Sequence, residues 1–130
     1  MAIVFLVEDN DYVVGALGGL LETFADIELT AVAKTAEAAL AMLPDVQCDV
    51  ALIDLALPGM NGIDLIAALQ KQRPELPCVI LSAHREGGYV KQALSAGARG
   101  YITKESPLAI IEGIERVLAG EIYLSEDLRE

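Results

Sequence analysis

Five short apolar runs, separated by segments of helical periodicity, constrain this chain more than any other feature. The runs are Ile3–Val7, Ile27–Ala33, Val50–Ile53, Cys78–Leu81 and Gly100–Thr103. Four of them are short or nearly continuous, as in strands covered on both faces. The second is different: Ile27, Leu29, Ala31 and Ala33 alternate with Glu28, Thr30 and Val32, which suits an edge strand with one wetter face. Between the runs, apolar residues recur at helical steps. The stripes are Val13, Leu17, Leu20 and Phe24; Ala36, Ala39, Leu40 and Leu43; Leu65, Ile66 and Leu69; Val90, Ala93 and Leu94; and Leu108, Ile111, Ile114 and Leu118. Thr35 ahead of Glu37 and Ser106 ahead of Pro107 mark helix starts, and Gly97 and Gly120 mark helix ends. Strict β-α alternation implies parallel strands joined by right-handed crossovers, with helices on both faces. The expected fold is therefore α/β: a flavodoxin-like (βα)5 doubly wound, five-stranded parallel sheet in the order 2-1-3-4-5.

In such a sheet the ligand site lies at the carboxyl ends of the strands flanking the reversal of order, here the first and the third. The first strand ends in Glu8-Asp9 and the third in Asp54, followed by Leu55-Ala56-Leu57-Pro58-Gly59-Met60-Asn61-Gly62. The fourth ends in Ser82-Ala83-His84, and the fifth in Thr103-Lys104, with Tyr101 shortly before. Carboxylates this close raise each other's pKa unless a cation intervenes. Mg2+ is suited to the task, because it takes a few carboxylates together with waters and a phosphate oxygen. Glu8 and Asp9 are then metal-side acids, while Asp54 both touches the metal and attacks phosphorus to give an aspartyl phosphate. The loose transition state of phosphoryl transfer calls mainly for positioning and charge neutralisation. The metal, the Lys104 ammonium and the Ser82 hydroxyl, with nearby backbone N–H groups, would meet the phosphoryl oxygens. Taken singly, an Asp after a strand is a turn former and a Lys beyond one is solvated. The whole set, spread in order over the ends of four strands, points to a site.

The bulk properties narrow the classes. A chain of 130 residues is one domain with a single core, and 54% apolar content excludes disorder. A net charge of −11 opposes nucleic-acid binding by this stretch itself. No apolar run approaches the ~20 residues of a membrane span, and the start lacks the basic leader of a signal peptide, so no membrane association and a cytoplasmic location are expected. Cys48 and Cys78 have no CxxC or His/Cys spacing and are expected to be reduced structural thiols.

The pattern resembles the receiver domain of bacterial response regulators over essentially the entire chain. The matching residues are Glu8-Asp9, Asp54 with Leu57-Pro58-Gly59-Met60-Asn61-Gly62, Ser82-Ala83, Tyr101 and Lys104. The stretch from Ala96 to Pro107, with Val117 to Ser125, is more specific and resembles NarL/FixJ-type (LuxR-like) transcription regulators. The resemblance implies that a sensor histidine kinase phosphorylates Asp54, and that Ser82 and Tyr101 move inward as coupled switch residues. It implies dimerisation on phosphorylation, or release of an attached helix-turn-helix domain through which alone DNA would be bound. Residues 1–120 would be the receiver, and 121–130 a tail beginning a linker to that domain. A stand-alone receiver acting through protein contacts is the alternative.

Two positions depart from the pattern. Ala56 offers only its backbone carbonyl to a metal, and His84 stands two residues past the switch hydroxyl, where it is read as a loop residue rather than a catalytic base. The resemblance implies that both positions bear on the rate of dephosphorylation. The adjacent Gly87 and Gly88 should soften the start of the fourth helix. Tyr89 and the leftover apolar residues of the last helix could be partner surface or incompletely covered core. A haloacid-dehalogenase-like phosphohydrolase would need a second Asp where Ala56 stands, so the chain reads as a phosphoacceptor rather than a turnover enzyme. A flavodoxin-like nucleotide binder would need a phosphate loop where Glu8-Asp9-Asn10-Asp11 would repel the anion. A receiver-shaped scaffold that is never phosphorylated would lack part of the set.

Overall fold

The computed structural model describes residues 2–83 and 88–128. The strands are β1 (Ala2–Val7), β2 (Ile27–Ala33), β3 (Val50–Asp54), β4 (Cys78–Ser82), β5 (Gly100–Thr103) and β6 (Tyr123–Leu124). The helices are α1 (Asp11–Glu22), α2 (Ala36–Met42), α3 (Gly62–Gln72), α4 (Val90–Ala96) and α5 (Pro107–Leu118). All paired strands are parallel, in the order β2-β1-β3-β4-β5-β6. The expected order holds for the first five strands, and a sixth extends it. No described helix is long and apolar enough to cross a membrane.

Alternation along the strands sorts the core into two layers. Phe5, Val7, Ala51, Ile53, Cys78, Ile80 and Tyr101 pack in one, with Ala36 and Ala39 of α2, Leu65, Ile66 and Leu69 of α3, and Ala93 of α4. Val4, Leu6, Val50, Leu52, Val79, Leu81 and Ile102 pack in the other, with Leu17 and Leu21 of α1 and Ile110, Ile111, Ile114 and Val117 of α5. Both layers are buried, as the unbroken apolar runs require. Strand β2 lies at the edge, where Glu28 and Thr30 are exposed, and its register slips by one residue between Val4 and Phe5 of β1.

Local signals set the helix ends. Asn10, Thr35 and Asn61 cap α1, α2 and α3 with side-chain oxygens that accept backbone N–H groups, whereas Ser106 caps α5 without such a bond, ahead of Pro107. Gly97 ends α4 in the left-handed region at φ 114°, and Gly120 follows α5 at φ 92°.

One expectation needs correction. In α5, Leu108 is 76% exposed and Leu118 is 40% exposed, while Ile110 and Val117 are buried with Ile111 and Ile114. The helix has apolar residues around more than one side, so its spacing admits two stripes, and the sheet takes the one that meets Ile102. Beyond Gly120 the chain adds two short elements. Tyr123–Leu124 pairs with β5, Tyr123 and Ser125 are buried, and a 3-10 turn covers Glu126–Leu128. A two-residue strand leaves no run to read in the sequence.

Candidate phosphoryl-accepting site

The register of the sheet carries the site residues to one edge. Val7 pairs with Ile53, Asp54 with Leu81, and Ser82 with Thr103, so Glu8, Asp54, Ser82 and Lys104 end their strands nearly level. The backbone fastens these ends to their neighbours. Glu8 N–H donates to the Ala33 carbonyl at 2.9 Å, Leu55 N–H to Leu81 at 2.9 Å, and Lys104 N–H to Ser82 at 2.8 Å. The loop after Asp54 returns closely enough that a Cβ on Gly62 would stand 2.5 Å from the Asp54 carbonyl oxygen. Only glycine permits that approach. Asn61 then starts α3 by accepting Asp64 N–H at 2.9 Å.

The side chains converge. Lys104 Nζ lies 2.9 Å from Asp54 Oδ1 and 3.0 Å from Glu8 Oε1. Carboxylate oxygens of Glu8, Asp9 and Asp54 all lie within 4.8 Å of one another. Glu8 and Asp54 are buried, Asp9 is exposed and Lys104 is half-buried. Asp54 Oδ1 also accepts Ala56 N–H at 3.3 Å, and Glu8 Oε2 accepts Asn10 N–H at 3.2 Å. Glu8 Oε1 is close enough to Lys104 for an ion pair but lacks the alignment of a hydrogen bond. The buried Ser82 hydroxyl has no hydrogen-bond partner among the described residues.

One ammonium against three carboxylates leaves the pocket anionic. Burial pushes the Glu8 carboxyl above its ordinary value and the Asp54 charge adds to this, against the lowering effect of Lys104 and Asn10 N–H. Burial alone would lower Lys104, but its contacts with Asp54 and Glu8 outweigh it and hold the ammonium above the usual lysine value.

The structure thus brings together Glu8, Asp9, Asp54 and Lys104, with Ser82 at the neighbouring strand end. Tyr101 is wholly buried beneath the same edge, in the layer that holds Ala93 of α4. Ala56 is exposed and reaches Asp54 through its N–H. His84 and Gly87 lie outside the described residues. Sequence reasoning gave no role to Asn10, which fixes Glu8 through its N–H while its side chain caps α1. Its signal is an Asn directly after the acidic doublet and ahead of a helical stripe.

The family model described as "Response regulator receiver domain" matches residues 4–115. The transcriptional regulatory protein DesR of Bacillus subtilis is 30% identical over 131 residues, covering 100% of this chain and 65% of its own length. The transcriptional regulatory protein UhpA of Salmonella typhimurium is 33% identical over 129 residues, covering 98% of this chain and 64% of its own. The chain therefore spans less than two thirds of either relative, 65% and 64%. A crystal structure of a LuxR-family two-component response regulator from an Aurantimonas species superposes with a TM-score of 0.93 at 29% identity, over 98% of this chain and 92% of that one. The likeness to LuxR-type regulators read from the sequence is borne out.

Proposed function

The chain belongs to the response regulator receiver domain family, and on that premise we propose that Asp54 accepts a phosphoryl group and thereby switches a LuxR-type transcription regulator. The observation that carries this reading is Lys104 Nζ held between Asp54 and Glu8, at 2.9 and 3.0 Å, with the buried Ser82 hydroxyl at the neighbouring strand end lacking a partner among the described residues.

The donor set fits magnesium: three carboxylates share one small volume, and Glu8 Oε1 is buried without an aligned donor. Glu8, Asp9 and Asp54, with the backbone carbonyl of Ala56, would hold the ion. When bound, it supplies positive charge that lets the carboxylates coexist and offsets charge on the phosphoryl oxygens.

The chain's own groups do the rest. With Oδ1 held by Lys104 and Ala56 N–H, the second oxygen of Asp54 attacks phosphorus. An O–P bond forms and the bond to the donor nitrogen breaks, its electron pair staying on an imidazole that then takes up a proton. Lys104 turns toward one phosphoryl oxygen and Ser82 donates to another, which gives its hydroxyl a partner. The donor is a sensor histidine kinase in the cytoplasm. Tyr101, wholly buried beneath the site, acts with Ser82 as the switch, favouring self-association or release of an attached helix-turn-helix domain that binds DNA. The protein is a phosphoacceptor and not a turnover enzyme.

Acetyl phosphate with Mg2+ should add one phosphoryl mass to the protein, and Asp54→Asn should abolish the gain. A wild-type chain that gains no mass overturns the proposal. Sustained hydrolysis of a chromogenic phosphate ester would favour a phosphohydrolase instead.

A further inference from the structure

The stretch after α5 is stitched to the strand that carries Tyr101 and leads into Lys104. Ser125 is buried; its Oγ accepts Thr103 N–H at 2.9 Å and donates to the Tyr101 carbonyl at 3.4 Å. The same carbonyl accepts Ser125 N–H at 3.1 Å, and Leu128 N–H closes on the Ser125 carbonyl at 2.9 Å. Space for this arrangement is built into α5. A Cβ on Gly113 would collide with the Ile102 side chain and stand 3.1 Å from Tyr123 Cδ2. The Tyr123 hydroxyl reaches Glu112 Oε1 at 2.9 Å. Thr103 immediately precedes Lys104, whose N–H donates to the Ser82 carbonyl at 2.8 Å. The backbone beneath the ammonium is thus gripped from β4 on one side and by Ser125 on the other.

We infer that Ser125 is a positioning residue that couples the phosphoryl-accepting site to the segment 123–128. The inference rests on the receiver reading and deepens it. A group added to Asp54 draws Lys104 away from Glu8, so the end of β5 shifts. Thr103 N–H and the Tyr101 carbonyl shift with it. Both are held by one serine side chain, so the strand and turn that follow are carried along. Coupling of this kind is reciprocal, and loosening the segment must also change how tightly the site holds its ligand. A DNA-binding domain attached beyond the turn would receive the signal through this contact.

The test uses the full chain with beryllofluoride and Mg2+, binding being read by fluorine NMR and response by amide exchange at Thr103, Ser125 and Leu128. In the wild type, exchange should change at all three amides on binding. In Ser125→Ala, which retains the backbone bond from residue 125 to the Tyr101 carbonyl, Thr103 should still respond while Leu128 responds clearly less than in the wild type. Affinity for the analogue should shift by about fivefold, as expected from losing a buried hydrogen bond. Binding without any change at Leu128 in the wild type overturns the coupling and leaves the receiver reading intact. So does a Ser125→Ala protein that responds like the wild type. Failure to bind the analogue overturns the receiver reading and the coupling with it. Should Ser125→Ala not fold, the wild-type exchange decides alone.

Discussion

Helices α3 and α4 are neighbours over the same layer of the sheet, yet they are held in different ways. Helix α3 buries Gly62, Leu65, Ile66 and Leu69 and opens on an Asn61 cap whose side chain takes a backbone N–H. Helix α4 buries only Ala93, and Tyr89 at its start makes no side-chain cap bond. Val90 and Leu94 are half-buried, and Tyr89 is 46% exposed. Buried apolar contact and satisfied helix ends set local stability. By these measures the α3 side should be the fixed wall behind Asp54, and α4 the side with freedom to rearrange. A two-state element needs that asymmetry, because a site buttressed everywhere has nothing to switch.

The largest expected contrast comes from truncating one leucine in each helix. Leu65→Ala should cost about 2–5 kcal/mol in denaturant unfolding, whereas Leu94→Ala should cost about 1 kcal/mol or less. Equal losses would erase the distinction between wall and lever. Next, backbone amides of α4 should exchange at least about tenfold faster than those of α3, matching ~1.4 kcal/mol in local opening. Comparable protection would contradict the reading.

A smaller effect tests the rim of the fixed side. Burial disfavours the ionised form of Glu8, so Glu8→Gln should stabilise the metal-free protein by about 1 kcal/mol, with Lys104 keeping its contact to Asp54. Added Mg2+ should narrow the gap, since it favours the wild-type carboxylate. Destabilisation by Glu8→Gln would mean that the ion pair with Lys104 outweighs desolvation. The smallest effect concerns Cys78, beneath Gln70 of α3, whose thiol burial pushes up to about 12. Iodoacetamide at neutral pH should leave it untouched in the native state and modify it on unfolding. Ready labelling would show that the α3 side opens as easily as its neighbour.

The contrast also explains what could be read in advance. Strands such as Val50–Asp54 and Cys78–Ser82 declare themselves, because burial on both faces demands an unbroken apolar run. Glu8, Asp54 and Lys104 were legible for the same reason: a charge at the end of such a run is carried to the edge of the sheet. Helix α5 misled, since Leu108 and Leu118 match the helical spacing as well as Ile110 and Val117 do. Only contact with the sheet chooses between the two stripes. Ser125 was invisible as a participant, because its partners Thr103 and Tyr101 lie 22 and 24 residues back and no periodicity marks the segment.

Gly62 has a consequence for inheritance rather than mechanism. It offers no side chain to any ligand, yet even one added carbon there would press on the Asp54 carbonyl eight positions earlier. A genetic screen for signalling-dead alleles should therefore recover changes at this codon beside those at the acidic ones. Such alleles would be scored as loss of chemistry, although the defect is one of elbow room.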